Sequence, residues 1–106
     1  MWLVDFGTPI GHEQGYRRPA VVVSDDRLNR SRAGLAIVVP VTANRRGLPS
    51  HIELERSSGT GLKEISYAKG EDINSVSTER LVRRLGSVGV VQLTQLTDVL
   101  RVLLAM

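Results

Sequence analysis

Two apolar runs and one long amphipathic stretch organise the chain. Pro19–Ser24 (PAVVVS) is β-branched and short enough for a buried strand, and the polar Asp25-Asp26 pair ends it. Leu28–Gly34 is a polar connection to Leu35–Val41 (LAIVVPV), a second buried strand whose Pro40 cannot donate to a ladder and belongs at an edge or bulge. His51-Ile-Glu-Leu-Glu alternates with period two, as a half-buried strand does. Met1–Phe6 reads as a short strand of mixed pattern, and Gly7 through Gly15 as a polar loop. Ile65–Ala68 and Asp72–Val76 read as further short strands, and Ser77–Leu81 as one helical turn opened by a Ser or Thr cap. Leu93, Leu96, Leu100, Leu103 and Leu104 recur at helical spacing and predict an amphipathic helix from about Val90 to Leu104.

Several closely spaced strands followed by a terminal helix predict an α+β fold, a small and strongly bent sheet or barrel that carries the helix. The 106 residues are sized for a single domain, 1–106. Apolar residues make up 42% and charged residues 24%, which excludes a disordered chain. With no cysteine, stability has to come from packing, and a reducing cytoplasm suits the protein. No apolar stretch approaches the roughly 20 residues of a membrane span. The net charge is only +3, yet almost every basic residue is arginine, whose planar fork suits phosphate oxygens. An anionic partner fits, although a solvated arginine surface would have the same composition.

Candidate chemistry concentrates in Gly11–Pro19, where a loop offers an acid, an imidazole, an amide, a phenol and two guanidiniums ahead of a strand. Pro19 restricts the backbone of Arg18 to extended conformations and so aims its side chain. The competing reading makes Arg17 and Arg18 solvated strand-edge charges. His12 and His51 are not expected to act as an acid and base pair, because their separation carries no spacing information and His51 reads as a surface residue at a strand start. The adjacent acids Asp25-Asp26 and Glu71-Asp72 point apart in extended structure and suit turns or caps, so no metal site is expected. No cofactor motif is present either.

The blocks Trp2–Phe6, Gly11–Gly15, Arg18–Ser24, Asn29-Arg30 and Val39–Thr42, in this order and spacing, resemble the MazF/PemK toxins. Gly61-Leu62, Ser66-Tyr67, Asp72-Ile73, Arg80-Leu81 and Leu85-Gly86 extend the likeness over nearly the whole chain. The resemblance implies a small SH3-like barrel of the CcdB/PemK type with a C-terminal helix. It implies a homodimeric, metal-independent endoribonuclease that cleaves single-stranded mRNA and is silenced by a MazE-like antitoxin. Arg18 and Thr42 match the family's catalytic arginine and threonine, and Glu13 an acidic residue implicated in some members. His12, Gln14, Arg17, Asn29, Arg45, Arg46 and Asp72 are the expected RNA contacts. Two departures stand out: the chain opens on the Trp2 block without the Arg-Gly-acidic turn that precedes it in the family, and Glu71-Asp72 replaces an acid followed by Gln. Either the start site lies upstream or the first strand is shortened, and the cleavage sequence of the family does not carry over. The alternatives are a gyrase poison of the CcdB type and an RNA-binding barrel without chemistry, the latter disfavoured by the scarcity of aromatic stacking platforms.

Overall fold

The structure, a computed structural model, describes residues 1–7 and 16–106. Among them are the strands β1 (Trp2–Asp5), β2 (Arg17–Val22), β3 (Leu35–Thr42), β4 (His51–Leu54), β5 (Ser66–Lys69), β6 (Asn74–Ser77) and β7 (Leu81–Arg84). Two helices accompany them, the single turn α1 (Asp26–Asn29) and the terminal α2 (Val90–Leu103). All ladders are antiparallel, in the order β4-β5-β3-β2-β1-β7, with β6 also paired to β3.

The long strand β3 organises this arrangement. One flank pairs with β2; the other pairs with β6 over Leu35–Val38 and with β5 at Val41 and Thr42. The Val23 N–H donates to the Ile37 carbonyl at 2.9 Å, so odd positions of β3 direct their backbone groups at β2 and even positions away from it. The missing N–H of Pro40 therefore faces the gap where β6 has ended and β5 has not begun. The expected edge is a break in one flank of a central strand.

Side-chain alternation along β3 feeds two cores. Val39 and Val41 join Val21, Leu54, Ala68 and Leu96 of α2 on one face. Ala36 and Val38 join Val4, Ala20 and Val76 on the other. Strand pairing does not close the barrel. The backbone crosses itself instead: a Cβ on Gly61 would lie 2.2 Å from the Leu85 carbonyl oxygen, and one on Gly86 would lie 2.2 Å from that of Gly59. Only glycine permits this approach, which the Ser87 N–H seals by donating to the Gly59 carbonyl at 2.8 Å.

Local differences from the sequence pattern have local causes. The segment expected to be a strand from Asp72 opens as a 3-10 turn, Gly70–Asp72, and extends only from Asn74. The expected turn after Val76 is a 3-10 turn over Thr78–Arg80, with the Ser77 hydroxyl accepting from the Glu79 N–H at 3.3 Å. Asp25 caps α1, its carboxylate accepting from the Arg27 N–H at 2.8 Å. Strand β7 has only Leu81 partly buried, so its LVRR sequence carries no apolar signal. Helix α2 follows its predicted span, but among its side chains only Leu96 is fully buried.

Candidate RNA-binding site

The even face of β3 leads to the candidate site. In the β2–β3 ladder Ala20 pairs with Pro40, where the pairing ends; Arg18 and Thr42 each lie two residues beyond that pair on their own strands, so each shares a face with it. Thr42 pairs with Tyr67 of β5, and Tyr67 with Glu53 of β4. On the other side Arg18 pairs with Val4 of β1. Thr42, Tyr67 and Glu53 thus form one row across three strands, and Arg18 stands on β2 two residues beyond the last β2–β3 pair. Because cross-strand partners share a face, a guanidinium and a hydroxyl distant in sequence project to the same side.

Their environments differ usefully. Arg18 is exposed and has no ion-pair partner among the described residues. Thr42 is only 9% exposed, and its hydroxyl oxygen accepts from the Asn44 N–H at 3.2 Å. A hydroxyl has one proton and two lone pairs, so Thr42 keeps its O–H for a ligand.

At Pro40, two residues before Thr42, a groove of about 440 Å³ opens, lined by Phe6, Pro40, Asp72, Asn74 and Arg80 among others. Its acidic wall is held from behind. The Glu71 carboxylate accepts from the Ser50 hydroxyl at 2.9 Å and meets His51 Nε2 at 2.8 Å. Burial works to raise the Glu71 pKa. The hydrogen bonds from His51, the backbone and Ser50, together with the charge interaction with His51, outweigh it and hold the pKa below the ordinary value. Lys69, opposite His51 in the β4–β5 ladder, pairs with Asp72 at 2.7 Å.

His51 is a correction to the sequence reading: its side chain is 2% exposed, because the 3-10 turn bearing Glu71 covers it. Arg17 shares the Arg18 end of β2. Arg45 and Arg46 are exposed in the segment that leaves Thr42. Asp72 lines the groove. Asn29 stands apart, at the far end of β2, where its amide donates to the Ser24 carbonyl at 3.3 Å and its oxygen accepts from the Ser24 hydroxyl. It does not join the other expected contacts. His12, Glu13 and Gln14 lie outside the described residues. Phe6, Tyr67 and Arg80 lie in the family-like blocks but were not expected at the site, since only sheet register and the turn after β6 bring them to this face.

Comparison with known proteins agrees with this architecture. The family model described as PemK-like, MazF-like toxin of type II toxin-antitoxin system matches residues 1–104. The endoribonuclease MazF9 of Mycobacterium tuberculosis (strain ATCC 25618 / H37Rv) is 40% identical over 95% of this chain and 89% of its own. MazF of Deinococcus radiodurans superposes with a TM-score of 0.82 at 28% identity, covering 99% of this chain and 92% of the other. A MazE–MazF structure from the same organism gives 0.79 at 28% identity, over 99% and 91%. A sheet shared with these solved structures and a sequence match over nearly the full length lead to one conclusion: the chain belongs to the PemK-like, MazF-like toxins of type II toxin-antitoxin systems.

Proposed function

We propose that the protein is an endoribonuclease that cuts single-stranded mRNA without a metal ion, and that Arg18 and Thr42 carry the chemistry. The observation that supports this reading most is their shared sheet face, each two residues beyond the Ala20–Pro40 pair, with an open groove at Pro40. RNA brings its own nucleophile. A base takes the proton of the 2′-hydroxyl, a bond forms from that oxygen to phosphorus, the bond to the 5′-oxygen breaks, and a proton goes to the departing oxygen. The products are a 2′,3′-cyclic phosphate and a 5′-hydroxyl. Arg18 holds the phosphate oxygens as negative charge builds on them and delivers the proton to the leaving oxygen, while Thr42 donates a hydrogen bond to the same phosphate. Glu13 is the proposed base.

Arg17, Arg45 and Arg46 steer the backbone of the RNA toward the row, and His12, Gln14 and Asp72 contact nucleotides. The working unit is a cytoplasmic homodimer, for which the half-exposed Leu93, Leu103 and Leu104 of the terminal segment offer apolar surface. A MazE-like antitoxin with an acidic tail covers the arginines. The test is cleavage of single-stranded RNA in EDTA with mapping of the ends. Cyclic-phosphate and 5′-hydroxyl termini, lost in Arg18→Ala, are expected; undiminished cleavage by that variant would reject the site.

A further inference from the structure

The groove at Pro40 has polar contacts more selective than a phosphate track requires. Both Glu71 oxygens are engaged, one by Ser50 and one by His51. Asp72 is half engaged: Oδ2 meets the Lys69 ammonium at 2.7 Å, while Oδ1 has no partner among the described residues. The Asn74 amide N–H is turned to the Asp72 carbonyl at 3.1 Å. Arg80 donates through Nη1 to the Asp5 carbonyl at 3.1 Å, which orients its plane and leaves the rest of the fork free. The groove is thus lined by Asp72 with one carboxylate oxygen engaged, by Arg80 with part of its fork engaged, by Asn74, whose amide oxygen has no partner among the described residues, and by Phe6.

We propose that this groove is a base-reading pocket for a single amino-bearing nucleobase of the RNA strand, with cytosine the best fit. Asp72 Oδ1 accepts from the exocyclic amino group, Arg80 donates to the ring carbonyl, and Phe6 supplies a face for the ring. Uracil places a carbonyl where cytosine has its amino group, which sets two acceptors together with no proton between them. Guanine offers two donors along one edge and is best matched by both oxygens of one carboxylate, of which Lys69 occupies one in Asp72. Lys69 is a positioning residue here: its side chain is 14% exposed, and it acts on the ligand only through Asp72. The inference rests on RNA being the substrate and adds which base the site selects.

The test uses RNA oligonucleotides made uncleavable by 2′-deoxy substitution at the scissile nucleotide, with each flanking position in turn C, A, G or U, and binding read by fluorescence anisotropy. At one position cytosine should bind at least about tenfold more tightly than uracil, the size expected of one good base contact. Asp72→Asn, whose amide carries both a donor and an acceptor, should shrink that ratio to below about threefold and leave the other positions unchanged. Lys69→Met, which frees Oδ2, should raise the affinity for guanine at the same position. Equal binding of cytosine and uracil at every position, or a preference that neither variant alters, overturns the proposal. Cleavage of the all-ribose counterparts in EDTA is scored separately. Retained base preference without cleavage would reject the nuclease and keep the pocket.

Discussion

The two ends of β2 carry equally polar sequences and treat them in opposite ways. At the far end, Ser24 accepts from the Ile37 N–H at 2.9 Å and donates to Asn29, while Asp25 caps α1; hydrogen bonds within the fold occupy every one of these groups. At the near end, Arg17 and Arg18 are exposed and have no ion-pair partner among the described residues, and the Thr42 hydroxyl keeps its proton. Polar groups that satisfy one another build structure. Polar groups held on a strand and without a partner among the described residues are available to a ligand, and that difference marks the candidate site better than residue type does.

This contrast can be broken at either end. The largest effect is expected from Arg18→Ala, which should lower kcat by about 10²- to 10³-fold, the range for removing a charge-stabilising donor. Its melting temperature should barely move, since the side chain is exposed. Asn29→Ala should do the reverse, costing about 1–3 kcal/mol in urea unfolding while the salt dependence of RNA binding stays as it was. An equal loss of RNA affinity would return Asn29 to the interface. Thr42→Val keeps the shape and removes the hydroxyl, and should cost about tenfold in kcat, roughly 1.4 kcal/mol, with little change in KM. The smallest effect concerns Glu71. Its folded pKa lies below the unfolded value, so its stabilising contribution is fully present above about pH 5 and is lost as pH falls through the depressed value. The side chain is about a third exposed, so the contribution amounts to tenths of a kcal/mol. Melting curves between pH 7 and 3 should lose a small part of their slope in Glu71→Gln.

The legibility of the fold varied with the source of each signal. Helix α2 and the buried strands β2 and β3 were readable because burial of one face imposes a period, and the Ser77 cap because its partner is two residues away. Strand β7 was not, since its exposed arginines are held by backbone pairing to β1, which leaves no trace in side-chain pattern. His51 had the wrong environment for a related reason: the turn that buries it comes 20 residues later. At the site, the pair Arg18 and Thr42 entered through family likeness and the Pro19 constraint. The neighbours Phe6, Tyr67 and Arg80 carry no mutual spacing.

By itself the sequence determined that β2 and β3 are strands and α2 a helix, because periodicity is a property of local stretches. Tertiary structure alone decided which polar groups remain unsatisfied. Whether Asn29, Arg18 or Asp72 has a hydrogen to give or a lone pair to offer depends on what the folded chain brings within about 3 Å of it, and that proximity is created only when distant strands come into register.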